Sequence, residues 1–238
     1  MTPLLALDPG AEAAAVTAAL RALAPEPTVV PVIRTERPFY GARVGDLRAT
    51  AAGWRRGHPD AAPAEVAALA DRLWQAGIRE EQLTACFLLA GDRAALAATD
   101  PDRVRAWCAL LDNWETTDQL GMNVLGPLVA LDPGTRFRLL EAMAGDPHPW
   151  TRRVALVACT RLARAGDAAR WWPRVAGLVL AVAGDRQAAL PKASSWVLRS
   201  WLGPCPAEVA AFVDANAGRL PAVAVRETRT KLATGTKR

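Results

Sequence analysis

The tripeptide Ala-Gly-Asp occurs four times along this chain of 238 residues, and its spacing constrains the fold strongly. A glycine that ends one helix, followed by an aspartate that caps the next, is typical of the junction between two antiparallel helices. The copies lie at 90–92, 144–146, 165–167 and 183–185, so the last two intervals add to 39 residues for two helices. That period is close to the roughly 40–47 residues of HEAT-like helical repeats.

Prolines mark the starts of the predicted helices. Proline is favoured at the first helical position because an N–H there has no partner within the helix. Asp100 and Asp132 directly precede two such prolines and are predicted N-caps. Seven prolines precede apolar stretches with helical spacing: Pro63, Pro101, Pro133, Pro149, Pro191, Pro206 and Pro221. The pattern predicts helices over 11–23, 44–56, 64–76, 79–90, 101–111, 113–130, 134–144, 149–165, 168–182, 188–201, 206–217 and 221–233.

Strand signals are nearly absent, since the one β-like run, 29–33, contains Pro31. We therefore predict an all-α protein, a right-handed α-solenoid of HEAT-like antiparallel helix pairs with a concave face of the kind that such arrays use for binding. The whole chain, 1–238, is predicted to be a single repeat domain. Residues 1–38 are expected to form an N-terminal helix and an irregular connector that cap the stack, and residues 234–238 a disordered tail.

The composition, 51% hydrophobic and 22% charged residues, excludes a disordered chain and allows a substantial core. The first basic residue is Arg21, and the longest apolar stretch, around 175–183, is far below the ~20 residues that span a bilayer. We expect a cytoplasmic protein with no membrane partner, acting as a monomer.

Four scattered cysteines and two histidines show no metal-ligand spacing, so the cysteines are predicted to be core residues. The chain also lacks a Gly-x-Ser-x-Gly elbow, a Walker loop and a dinucleotide fingerprint. We therefore expect no metal and no cofactor.

The net charge of +5 is carried almost wholly by arginine, with 26 arginines and three lysines. Arginine binds phosphate with two parallel hydrogen bonds, so this excess is compatible with nucleic-acid binding. A coding bias towards alanine and arginine would give the same composition.

Trp54, with Arg55 and Arg56, is either a cluster that contacts a nucleic-acid backbone or a surface patch at a helix end. Four other tryptophans, Trp74, Trp107, Trp171 and Trp172, are predicted core residues.

Trp114 and Asp118 are four residues apart, so a helix presents their ring and carboxylate on one face, an arrangement that suits a cation. A partly buried tryptophan beside a capping acid is the alternative. Moving 39 residues along the chain gives Arg153, and 43 more gives Trp196, with Arg199 one turn further. Because equivalent positions of successive repeats lie side by side, we expect these residues to converge on the concave face.

The chain resembles the AlkD-like DNA alkylation repair glycosylases, which are built from HEAT-like repeats. The resemblance covers residues from about 36 to 232 and implies removal of N3- and N7-alkylated purines from duplex DNA, as in base excision repair. It further implies a monofunctional enzyme that does not flip the base into a pocket. The matching stretches are Phe39-Tyr40-Gly41 with Leu47-Arg48, 114–118, 150–155, 192–199 and Arg226-Glu227.

By motif position, the resemblance implies that Asp118 is the catalytic carboxylate, Trp114 and Trp196 the aromatic walls, and Arg153 a phosphate contact. Arg152 is the alternative to Arg153. Lys192 could form a Schiff base and give lyase activity, although a phosphate contact also explains it. The remaining predicted DNA contacts are Arg199, Arg161 and Tyr40. A catalytically silent DNA-binding or protein-binding scaffold is the alternative function, and the preferred lesion, methyl or bulky, stays open.

Overall fold

The computed structural model describes residues 7–25, 33–187 and 189–236. Within these ranges all regular structure is helical, which confirms the predicted all-α class. The β-like run 29–33, apart from Ile33, lies outside the described residues. The helices are α1 (Pro9–Arg21), α2 (Val44–Gly57), α3 (Pro63–Gln75), α4 (Arg79–Ala90), α5 (Arg93–Ala98), α6 (Pro101–Trp107), α7 (Trp114–Leu120), α8 (Gly126–Leu131), α9 (Pro133–Ala144), α10 (Pro149–Leu162), α11 (Trp172–Ala181), α12 (Ala189–Trp201), α13 (Pro206–Ala215) and α14 (Ala222–Thr234).

Capping places most helix starts where the sequence predicts them. The side chain of Asp100 accepts the N–H of Asp102 at the start of α6, and that of Asp132 accepts the N–H of Thr135 in α9. Pro221, by contrast, is the N-cap of α14 rather than its first residue. Five of the seven predicted prolines begin their helices: Pro63, Pro101, Pro133, Pro149 and Pro206.

Some local features differ from the prediction. Helix α5 was missed because six residues are too few to give a periodic apolar signal. The helix predicted over 113–130 is interrupted by a π-helical turn, Gly121–Leu125. Pro127 follows this turn, and proline cannot donate to the carbonyl four residues earlier, which explains why the regular ladder breaks here. At the C-terminus, Thr234 of the predicted tail belongs to α14, while residues 237–238 lie outside the described residues.

The chain divides into two compact units, Met1–Val124 and Leu125–Arg238. In the first unit, α4 packs against both α2 and α7, and α3 packs against α1, α4 and α5. In the second unit, α8, α10, α12 and α14 pack successively in one row, with α9, α11 and α13 against it. This alternation within each unit is consistent with a helical repeat. The handedness, the concave face and the single-domain organisation stay predictions.

Tryptophans form much of the core. Trp74 stacks on Trp107 with ring centroids 4.9 Å apart, and Trp201 donates its indole N–H to the carbonyl of Cys159. The four tryptophans predicted to be core residues are buried, as are all four cysteines, which form no disulfide. Trp54 is not part of an exposed cluster with Arg55 and Arg56, because its ring is buried, stacks on His58 and donates to Glu12, whereas Arg56 is exposed.

Gly126 allows α8 and α10 to approach closely in the second unit. A Cβ added at this position would lie 2.7 Å from the carbonyl oxygen of Ala158 and 2.9 Å from the Cβ and Cγ of Arg161. Backbone cannot give way cheaply, so only glycine fits this crossing.

Gly126→Ala is therefore expected to destabilise the protein by about 1–3 kcal/mol through overpacking. Gly177→Ala is the matched control, because this exposed glycine of α11 has no atom within 4 Å of an added Cβ. Alanine there should stabilise by about 0.5–1 kcal/mol, since it lowers the conformational entropy of the unfolded chain. Urea unfolding followed by circular dichroism measures both, and equal effects of the two substitutions would contradict the close approach.

Candidate functional site

Helix α7 carries Trp114 and Asp118 in the first unit. The helix begins at Trp114 because the side chain of Asn113 accepts the N–H groups of Glu115, at 3.0 Å, and Thr116, at 3.1 Å. Trp114 is 41% exposed, whereas Asp118, one turn later, is only 7% exposed. The helix therefore presents an aromatic ring at the surface and a carboxylate largely withdrawn from water, one turn apart as predicted.

Arg79 of α4 tethers the start of α7. Its fully buried guanidinium donates to Glu115 at 2.6 Å, to Glu80 at 2.7 Å and to the carbonyl oxygen of Ala42 at 2.9 Å. Burial alone would lower the pKa of Arg79, but the hydrogen bonds and charges of Glu115 and Glu80 outweigh it and raise that pKa. Arg79 is thus held as a cation that pairs with Glu115, the residue directly after Trp114.

The other end of this ion-pair chain holds the turn at residues 39–42. The Glu80 carboxylate accepts the backbone N–H groups of Tyr40, Gly41 and Ala42 at 2.8, 2.9 and 3.2 Å. Gly41 has a φ of +86°, a conformation that favours glycine. The motif Phe39-Tyr40-Gly41 is therefore connected through Glu80, Arg79 and Glu115 to the helix of Trp114, a link that sequence spacing did not reveal.

Tyr40, a predicted DNA contact, takes part in the first unit's own network. Its hydroxyl donates to Glu81 at 2.6 Å and accepts from the Nε of Arg21 at 3.2 Å. Burial and the hydrogen bond to Glu81 raise the pKa of Tyr40, so the phenol stays protonated. The structure thus gives Tyr40 a role in fixing the turn, and DNA contact by this residue stays a prediction.

One face of α12 carries Trp196 and the polar residues around it in the second unit. Lys192 donates to Glu227 of α14 at 3.1 Å, and the Ser195 hydroxyl donates to the other oxygen of that carboxylate. Arg199 donates from Nε to Ser195 at 3.2 Å and lies 3.6 Å from Glu227. The half-buried Trp196 therefore stands among side chains that a single glutamate holds together.

The three arginines predicted on α10 differ in their surroundings. Arg152 donates to the carbonyl oxygens of Asp146 and Pro147 and pairs with Asp185. It therefore links the Ala-Gly-Asp junctions at 144–146 and 183–185. Arg153 is 6% exposed and donates to the carbonyl oxygen of Ala189, the first residue of α12. The stem of Arg161 lies against Gly126. Which of these residues contacts DNA stays a prediction.

The predicted site residues are divided between the two units. Trp114, Asp118 and Tyr40 lie in the first, and the candidates on α10 and α12 lie in the second, so their convergence stays a prediction. No group of His, Cys, Asp or Glu side chains within the described ranges is arranged to hold a metal ion. Over the same part of the chain, no helix is long and apolar enough to cross a membrane.

The sequence profile of a family described as "DNA alkylation repair enzyme" matches residues 16–232. This is most of the chain, which therefore belongs to that family, and its class is an all-α enzyme of DNA repair. No curated protein and no solved structure gives a significant match.

Arg79→Met should destabilise the protein by about 3–5 kcal/mol, because it leaves two carboxylates without their buried cation. Amide exchange should accelerate first around 113–118, where the tether to Glu115 is lost. The control is Arg229→Met, which breaks the surface pair with Asp214, 53% and 68% exposed, and should cost less than about 1 kcal/mol. Urea unfolding and exchange mass spectrometry measure these effects, and similar small losses in both variants would refute the tether.

Proposed function

We propose that this protein is a monofunctional DNA glycosylase that hydrolyses the N-glycosidic bond of N3- or N7-alkylated purines in duplex DNA. The observation that carries the proposal is the pair on α7, the exposed Trp114 and the withdrawn Asp118, in a member of a DNA alkylation repair family. Both side chains suit a substrate whose base and transition state are positively charged.

Asp118 is proposed to stabilise the sugar as the base departs. Alkylation at N7 or N3 makes the purine cationic, so the bond electrons leave with the base, which departs neutral, and the deoxyribose develops oxocarbenium character. A carboxylate close to that cation lowers the barrier by an amount on the order of 3–4 kcal/mol in comparable preorganised sites. Water then bonds to C1′ and loses a proton. Since Asp118 is 7% exposed, its charge is poorly screened by solvent.

Trp114 and Trp196 are proposed to favour the charged nucleotide over a neutral one. The face of an indole ring attracts a cation within ~6 Å by roughly 0.5–2 kcal/mol. Selection by charge does not require the base to leave the stack, in contrast to enzymes that read the hydrogen-bonding edge of an extruded base. Both tryptophans are at least partly exposed, as this role requires.

Arg153, Arg199 and Lys192 are proposed to contact phosphates. Lys192 is held by Glu227 at 3.1 Å, and its side chain is 60% exposed, as contact with a DNA phosphate requires. This supports a phosphate contact, the role that agrees with a monofunctional enzyme.

Asp118→Asn should slow base release at least about 100-fold, because the amide keeps the shape of the side chain and loses its charge. The assay uses duplex DNA with a single 7-methylguanine and measures free base by chromatography, while a gel-shift assay measures binding of the same duplex. Asp214→Asn, at an exposed carboxylate of α13, is the matched control and should release base at the wild-type rate.

Full release by Asp118→Asn would refute the catalytic role of this residue. No release by the wild-type protein would refute the glycosylase itself. Tight binding of the duplex without release would identify the alternative, a catalytically silent DNA-binding scaffold.

A further inference from the structure

A groove of about 490 Å³ lies between α2 and α4 in the first unit. Its walls include three arginines from α2, and its apolar surface includes Phe87 and Leu88 from α4. No lining residue is acidic. The groove is therefore a positively charged surface with an apolar floor, which suits an anionic ligand.

Arg55, one of the three arginines, has a structural role. Its guanidinium lies 2.8 Å from Asp92 and donates to the carbonyl oxygens of His58, at 3.1 Å, and Ala61, at 3.3 Å. These bonds fix the end of α2 and neutralise the Arg55 charge. The net charge of the groove thus depends on the other two arginines.

Arg48 is held in place by an aromatic ring. Its guanidinium carbon lies 4.1 Å from the centroid of the Phe87 ring, and one NH2 group donates to Gln119 at 3.5 Å. Stacking of this kind fixes the plane of a guanidinium while its N–H edge stays available for two parallel bonds to a phosphate. Gln119 directly follows Asp118 on α7, so Arg48 connects the groove to the helix of the candidate site.

Arg56 is exposed and forms no hydrogen bond or ion pair with any residue that the structure describes. It lies eight residues after Arg48 on α2, two helical turns or about 12 Å further along. Ala52, between them on the same face, is exposed and small, so a ligand can reach along the helix. Two cations at this distance contact separate groups of an extended polyanion rather than clamp one small anion.

We propose that α2 binds the sugar-phosphate backbone of duplex DNA through Arg48 and Arg56, as a contact that is independent of the lesion. The proposal rests on DNA as the substrate of the proposed function and adds a second phosphate-binding surface, in the first unit. Because the contact is to phosphates, it positions the duplex beside α7 and carries no sequence or damage information.

The test compares Arg48→Ala/Arg56→Ala with the wild-type protein on undamaged duplex DNA over a series of salt concentrations. Each lost phosphate contact reduces the slope of log K against log salt by ~0.9, so we expect the slope to become less steep by about 2. Affinities for undamaged duplex and for duplex with 7-methylguanine should fall by the same factor. The single variant Arg56→Ala, which disturbs no internal contact, should reduce the slope by about 1.

Arg93→Ala/Arg105→Ala is the matched control, because it removes two exposed arginines of the same unit, on α5 and α6. Its slope should stay close to that of the wild type. Equal slopes for the two double variants, or an unchanged slope for Arg48→Ala/Arg56→Ala, would overturn the proposal. Base release by the wild-type protein is measured separately, so failure of this contact and failure of the glycosylase are distinguished.

Discussion

The buried ion-pair chain of Glu80, Arg79 and Glu115 is the interaction on which the candidate site of the first unit depends. Taking three charges out of water is costly, and the cost is offset only because nearly every polar atom has a partner: Arg79 donates to both glutamates, and Glu80 accepts three backbone N–H groups. Replacing all three charged residues together by apolar side chains of similar volume is often neutral for stability, whereas removing Arg79 alone leaves two carboxylates without their cation. The hydrogen bonds of the charged residues are directional, so they fix the turn at 39–42 and the first turn of α7 in one arrangement.

The second unit uses a buried glutamate in a comparable way. Glu227 of α14 accepts from Ser195, the residue before Trp196, while Glu115 directly follows Trp114 and is held by Arg79. In each unit, therefore, the residue next to the candidate tryptophan in the sequence forms a charge-assisted hydrogen bond to another helix. These residues are Glu115, beside Trp114, and Ser195, beside Trp196. An aromatic side chain has few rotatable bonds, so fixing the adjacent backbone restricts where its ring can lie. This supports preorganised rings rather than mobile surface tryptophans.

Helix starts were predictable from the sequence because proline and aspartate act locally, through a missing N–H or a side-chain cap. The tether at Arg79 was not predictable. Every residue of α4 from Arg79 to Leu89 is buried, so the helix has no polar face, and nothing in the sequence indicates that the charged residues at its start have buried partners. Trp54 was misjudged for the same reason: Arg55 and Arg56 suggested an exposed patch, whereas its partners Glu12 and His58 are known only from the fold.

A basic protein that binds a cationic purine must limit the repulsion between its own cations and the base. The partners of its arginines and lysines therefore matter for the proposed function. Uncompensated cations close to the reacting base would repel it and oppose the charge selection proposed for the tryptophans. On α12, the single carboxylate of Glu227 offsets one of the two charges of Lys192 and Arg199, and on α7 the carboxylate of Asp118 is proposed to face the sugar. On α2, neither Arg48 nor Arg56 has an acidic partner among the residues that the structure describes, and Arg48 contacts the uncharged Gln119 and Phe87. Glu227 therefore reduces the repulsion that the proposed phosphate contacts Lys192 and Arg199 would exert on a cationic base beside Trp196, while the arginines of α2 keep their charge for the phosphate backbone.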